Sequence, residues 1–513
     1  MRWLGIGAAS IALVGCTLLY GDAPIGQCST DDECEFPGTS GYRCDLTQRV
    51  CVSSPQNSAP STDFRDCRRP DLDPIVECGP QGCGIPSSPD CACLNGAWEE
   101  KDAAVVGVIA PETFSTATGA RVSIPYVARW ERALGLGLDE WSRSLSDGLL
   151  PKARRPLAIL YCNSNGDPSI AKRAMAHLTR AANALVVITL ADGDTISVRD
   201  DAIANNQGVI CSLCYQQRTE EANDTIWQIV PPLVAQAPLA AARVNELAST
   251  HDSAELVTIA TVVQDYPGFE ELASEVERLV GTLGNHQPIR AQGSVQSVID
   301  VRPDVIFLAM DSGFGGFISA IEAAWPATEA RPAYVLGYSN QELGLLTTLV
   351  GSNDDLRRRI SGTGWWPGAA VASNRARLEQ RFRSRYGGRV DQAHFGYDAF
   401  YAAAHAIAWA DRRAVVAAPS VAIALGHLQS GPAIDVGPDG ITDALAQFAL
   451  GQDINLVGSS NLLDWDSSTR ATRSDVTVWC LSRNPDGSLG LVESAGPVWH
   501  AATGEVTGQY ACP

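Results

Sequence analysis

From about Ala103 onward, short uninterrupted apolar runs alternate with longer segments that are apolar on one side only. The runs are AVVGVIA (104–110), PLAILYC (156–162), ALVVITL (184–190), GVICSL (208–213), ELVTIATVV (255–263), DVIFLAM (304–310) and AYVLG (333–337). Between them lie IPYVARWERALGLGLDEWSRSL, DPSIAKRAMAHLTRAAN and YPGFEELASEVERLVGTL. In the last of these, Phe269, Leu272, Val276, Leu279 and Val280 recur at three- and four-residue spacing, which predicts one buried helix face. Continuous apolar strands separated by helices predict parallel sheets covered on both faces. About 410 residues of this texture exceed what one sheet organises, so two α/β lobes are expected.

The first hundred residues read differently. Cys28, Cys34, Cys44, Cys51, Cys67, Cys78, Cys83, Cys91 and Cys93 crowd there among Gly, Pro and Asp, with few large apolar side chains. Disulfides must then replace a core. Cys28, Cys34, Cys44 and Cys51 are candidates, in a connectivity that spacing leaves open. SSPQNSAPST (53–62) is a linker inside this region. A zinc site is disfavoured, because residues 1–100 contain no histidine and the first gaps are not C-x₂-C. Further on, Cys480 and Cys512 stand apart from the other cysteines and are expected to pair with each other. Cys211 and Cys214 are expected in a structural disulfide rather than a redox motif, either together or with other cysteines. The net charge of −20 argues against a nucleic-acid partner, whose phosphates need a basic face.

The chain opens on an uncharged run from Trp3 to Gly15 that ends at Cys16. A bilayer-spanning helix needs about 20 apolar residues, so this run fits the apolar centre of a signal peptide, with Arg2 supplying the positive flank. Leu13-Val14-Gly15-Cys16 resembles the bacterial lipobox. That resemblance implies cleavage before Cys16 and lipid on its sulfur and amino group, which anchors the mature chain to a membrane. Thr17 follows where an inner-membrane retention signal would place Asp, so the outer membrane is favoured.

The order of the pieces resembles the type I periplasmic binding proteins, in the leucine/isoleucine/valine-binding branch. The matching segments are VVGVIAP (105–111), LAILYCNSNGDPSIAKRAMAHL, ALVVITLADGDT, GVICSLCYQQ, IATVVQDYPG, RFRSRYGGRVDQAHFGYDAFYAAAHAIAWA and GSSNLLDWD (458–466). The resemblance implies two Rossmann-like lobes joined at a hinge by three crossovers, with a small polar, amino-acid-like ligand held between them. It places Asp192, Thr195 and Ser212 on the first lobe, and Tyr266, Asp311 and Tyr338 on the second. In the last motif, Asn461 stands where the family has glycine, and a left-handed conformation is expected for it. The loop Gly337-Tyr338-Ser339-Asn340 lacks the family's carboxylate for an amino group, which speaks against an α-amino acid.

No G-x-S-x-G, H-E-x-x-H or P-loop occurs and the seven histidines are dispersed, so a non-enzyme without cofactor or metal is expected. The expected organisation is a signal peptide (1–15), a cysteine-rich stalk (16–102), the two-lobed domain (103–484) and a C-terminal extension (485–513). The implied role is capture of a solute for an ABC transporter or sensor. An envelope scaffold that uses the same fold without a ligand is the alternative. Cys16→Ser is expected to abolish fatty-acid labelling and membrane retention; palmitate incorporation into the variant would refute the lipobox reading.

Overall fold

The computed structural model describes residues 42–45, 50–53, 88, 90–91 and 93–96, and then 103–510 with breaks at 116–120, 124–125, 147–155, 218–224, 250–256, 282–285, 291–293, 311–312, 339–342, 367, 389, 391, 413–415 and 493–496. The chain divides into two compact units, Met1–Ser61 and Thr62–Pro513. In the first, Tyr42–Asp45 and Val50–Ser53 form an antiparallel pair that sets Cys44 opposite Cys51. Cys16, Cys28 and Cys34 lie outside the described residues.

The larger unit contains two α/β lobes. In the first, the sheet order is Ile226–Gln228, Gly208–Leu213, Val186–Ala191, Ala104–Ala110, Leu157–Asn163 and Cys93–Gly96. All neighbours are parallel except the last pair. The central strands are mostly apolar because helices cover both faces. Ala104–Ala110, for example, is buried throughout. Cys93–Gly96, in the segment read as stalk, is an edge strand of this sheet. It is secured by a disulfide from Cys91 to Cys162.

The second lobe repeats the plan. His286–Arg290, Val257–Val263, Val305–Ala309, Ala333–Gly337 and Ile360–Trp366 are parallel neighbours in that order. Asp475–Arg483 joins antiparallel, followed by Leu489–Val492, Val498–His500 and Glu505–Thr507. The segment after residue 484 therefore contributes strands to the second-lobe sheet. Cys480 is disulfide-bonded, and Cys512 lies outside the described residues.

Local sequence accounts for the helices. Asp167 caps Pro168–Arg180, its Oδ1 accepting the Ser169 N–H at 2.7 Å, with Pro168 at the first position where its missing N–H costs nothing. Pro267–Gly281 buries Phe269, Leu272, Val276 and Val280, the face that their spacing predicts. Ala393–Asp411 is buried on nearly all sides, so it carries no polar stripe.

The chain crosses between the lobes at Ile229–Leu233, again after Trp366, and a third time at 458–475. The first and third are stitched together. The Asn461 amide donates to Ile229 O at 2.7 Å, the Trp465 indole to Gln228 O at 2.8 Å, and the Thr472 hydroxyl to Ile229 O at 2.7 Å. Asn461 is not in the left-handed region, contrary to the expectation for a glycine replacement. Its side chain bonds to the neighbouring crossover instead. Asp398, fully buried in Ala393–Asp411, takes the main-chain N–H groups of Ser459 (2.8 Å) and Ser460 (2.7 Å), and both hydroxyls. Burial raises its pKa, and these donors oppose that rise. Asp398→Ala strands two buried N–H groups, so a loss of about 3 kcal/mol is expected in urea unfolding. A loss below about 1 kcal/mol would show that other donors or solvent replace the carboxylate.

Candidate functional site

In each lobe one central strand is flanked on opposite sides by the next two strands of its own sheet in chain order. Ala104–Ala110 lies between Leu157–Asn163 and Val186–Ala191, and Val257–Val263 between His286–Arg290 and Val305–Ala309. Such switch points open a crevice at the carboxyl ends of the strands. The two crevices meet, because residues leaving these strand ends bond across from lobe to lobe.

Asp192 begins the helix Asp192–Asn205 directly after Val186–Ala191. Its Oδ2 accepts the Tyr215 N–H at 2.8 Å within the first lobe. The same oxygen accepts the hydroxyl of Tyr266, which leaves the second-lobe strand Val257–Val263. Tyr215, two residues past the strand Gly208–Leu213, sends its ring into the second lobe. Its hydroxyl lies 2.8 Å from that of Tyr338, and its ring meets Tyr338 and Tyr266 edge-on at 5.3 and 6.4 Å between centroids. Phe269 packs edge-on against Tyr338 at 5.5 Å. The Gln217 N–H is held by Glu271 of the second lobe at 2.8 Å.

Two backbone features fit this contact. Gly268 lies so close to Tyr215 that a Cβ there would come within 3.1 Å of its main-chain carbonyl. Tyr338 has φ +93°, a left-handed value unusual for a side-chain-bearing residue and costly by about 1–3 kcal/mol. Its N–H is bound by the Gln236 side chain at 3.3 Å; the same Gln236 oxygen accepts from Thr363 at 2.7 Å. Burial first, then the neighbouring Asp192 charge, raises the Tyr266 pKa; burial, then Tyr338, raises that of Tyr215. Both remain neutral hydroxyls.

Asp192, Tyr266 and Tyr338 thus meet at one place. Thr195 is buried behind them, its hydroxyl donating to Ala191 O (2.9 Å) and lying 2.6 Å from the Thr189 hydroxyl. Ser212 is buried in its strand, and its hydroxyl has no hydrogen-bond partner among the described residues. Asp311 lies outside the described residues. Cys211 and Cys214 are joined to each other, which fixes the root of the loop carrying Tyr215. Tyr215 and Asp194 escaped the sequence reading. Tyr215 follows an ordinary apolar strand, and no spacing marks a ring that reaches across a cleft. Among the described residues no cluster of His, Cys, Asp or Glu is arranged to hold a metal ion.

The fold is that of the type I periplasmic binding proteins. A solute-binding protein of an ABC transporter from Rhodopseudomonas palustris, solved with 4-hydroxybenzoate, matches at a TM-score of 0.55 and 15% identity, covering 78% of this chain and 98% of that one. Another from strain BisB5, solved with 3,4-dihydroxybenzoic acid, matches at 0.53 and 14%, with 78% and 98% covered. A leucine-binding protein from Thermotoga maritima matches at 0.50 and 13%, with 76% and 97% covered. No family model matches the sequence, and no curated protein matches it.

Asp194 supplies a pH handle. It is buried in the first turn of its helix, bonded by Ser164, with Oδ2 lacking a partner among the described residues. Burial pushes its pKa up to about 7 from 3.8, against the Ser164 hydrogen bond. A raised folded pKa contributes stability below about pH 4 that is lost as pH rises through 7. Asp194→Asn should therefore gain on the wild type between pH 4 and 8, by up to about 4 kcal/mol for a three-unit shift. Chemical unfolding at the two pH values measures it, and a pH-independent difference would show that Asp194 ionises at its ordinary value.

Proposed function

We propose that this chain is a membrane-anchored extracytoplasmic solute-binding protein that captures a small polar ligand between its lobes and presents it to an ABC transporter or sensor. One observation carries this reading: residues leaving the switch-point strands of both lobes converge on one cleft, where Tyr266 of the second lobe reaches Asp192 of the first. A ligand touching both faces favours the closed arrangement of lobes. No catalytic step is assigned. The anchor is the lipidated Cys16, and the favoured location is the outer membrane, facing the periplasm or the cell surface.

The alternative, an envelope scaffold using the fold without a ligand, draws support from the same contacts. Tyr266–Asp192 and Tyr215–Tyr338 already join the lobes by side chains of the chain itself.

The experiment is a thermal-shift screen of the soluble domain against amino acids, small carboxylic acids and phenols, since a ligand stabilises by RT ln(1 + [L]/Kd). For a solute that binds, Tyr266→Ala should weaken affinity roughly thirtyfold, about 2 kcal/mol, and enlarge the radius of gyration in solution scattering. A folded variant with unchanged affinity would remove Tyr266 from the site. A wild type that no solute stabilises would favour the scaffold.

A further inference from the structure

Two carboxylates of opposite lobes hold one short first-lobe segment, Tyr215–Gln217, by alternate main-chain N–H groups. Asp192 of the first lobe accepts the Tyr215 N–H at 2.8 Å, and Glu271 of the second accepts the Gln217 N–H at 2.8 Å. The Gln216 side chain also bonds to Glu271. The root of the segment is firm. The Tyr215 carbonyl accepts the Leu233 N–H at 2.9 Å, and the Cys211–Cys214 disulfide ends one residue before it. Its seat on the second lobe is shaped to take main chain. Gly268, buried in the first turn of Pro267–Gly281, leaves room where a Cβ would stand 3.1 Å from the Tyr215 carbonyl. Beside the seat, Tyr266 donates its hydroxyl to Asp192.

We infer that Tyr215–Gln217 is a clasp with which the chain closes its own cleft, and that the meeting of Asp192 and Glu271 makes this closure tighter in acid. The inference goes beyond the solute-binding reading, because the clasp is made of this chain alone and stands whether or not a solute enters. Closure half-buries Glu271 and brings a second carboxylate beside it, and both effects penalise its charged form. Burial pushes the Glu271 pKa up, the Gln217 N–H and the Gln216 side chain oppose that rise, and the Asp192 charge adds to it. The neighbouring Glu270 is paired with Arg290. The other titratable groups at the contact are Tyr126, Tyr215, Tyr266 and Tyr338, with Asp194 in the same helical turn as Asp192. Phenols titrate far above the range that matters here. A protonated Glu271 still offers an oxygen to the Gln217 N–H, so the bond survives while the repulsion from Asp192 ends. Opening removes that repulsion too, together with the burial supplied by the first lobe. The raised pKa therefore belongs to the closed form, so closure is favoured below it and loses that advantage as pH rises through it.

The test is hydrogen exchange of the full chain without solute, read by mass spectrometry at the peptide that contains Tyr215–Gln217 and corrected for the intrinsic rate. Wild type should be protected there, and several-fold more at about pH 5 than at about pH 8; a one-unit pKa difference between open and closed forms limits the ratio to about tenfold. Glu271→Ala should lose about tenfold of that protection at both pH values and show a larger radius of gyration in solution scattering. Glu271→Gln, which keeps an acceptor oxygen and does not ionise, should keep the protection and lose the rise in acid. Asp194 is intact in that variant, so a rise that Asp194 causes would persist there. If Glu271→Ala does not fold, Tyr266→Phe removes the neighbouring bond between the lobes and is measured in the same way. Protection in the folded variant equal to wild type overturns the clasp. A rise in acid that is absent from wild type, or equally large in Glu271→Gln, overturns the pH response. Failure of every solute in the thermal-shift screen leaves these outcomes unchanged, so the clasp and solute capture are tested apart.

Discussion

The buried carboxylate of Asp398 is the constraint on which the arrangement of lobes depends. A carboxylate taken out of water is costly unless donors replace its hydration. Here the donors are the main chain and hydroxyls of Ser459 and Ser460, at the start of the third crossover. That fixes one end of a segment whose later residues, Asn461, Trp465 and Thr472, bond to the first crossover at Gln228 and Ile229. The two connections behave as one strap. The strap is anchored to the most buried helix of the first lobe, so that helix and both crossovers are held in one arrangement. The residues that meet across the cleft are therefore a narrow set.

That set is polar where the strands end and aromatic where the lobes touch. A strand end exposes unpaired main-chain N–H groups, and in this fold they are available to a ligand. Here one of them, on Tyr215, is taken by Asp192, which also accepts Tyr266. A single carboxylate oxygen thus ties the first-lobe loop to its own lobe and to the other. The ring of Tyr215 fills the adjoining aromatic corner. The contact is made of neutral donors around one charge, an arrangement that tolerates exchange of one donor for another.

The central elements were legible because buried parallel strands leave a plain signature: Ala104–Ala110, Gly208–Leu213 and Ala333–Gly337 coincide with the apolar runs. The short antiparallel strands after residue 484 were not, since three or four residues at a sheet edge carry too little pattern. Asp192 and Tyr338 were singled out as substitutes for the carboxylate that the family has and this chain lacks, Tyr266 through resemblance, and the structure brings the three together. Thr195 came from the same source and is placed behind the cleft, with its hydroxyl engaged within the first lobe. Tyr215 and the Cys91–Cys162 link depend on long-range packing, to which neither periodicity nor spacing is sensitive. The role of Asn461 was misjudged because a residue standing for glycine was read through its backbone, whereas its amide forms the decisive bond.

A cleft that satisfies its own hydrogen bonds imposes a definite relation between stability and affinity. For a solute that takes the place of the Tyr215 ring, the apparent affinity is the intrinsic affinity scaled by the fraction of molecules in which Tyr215 has left the corner. Each tenfold preference for the self-occupied form subtracts about 1.4 kcal/mol from binding. The subtraction is the same for every solute, so it does not itself discriminate. An internal occupant of this kind raises the threshold for every binder alike, so weak or nonspecific ones fall below it first.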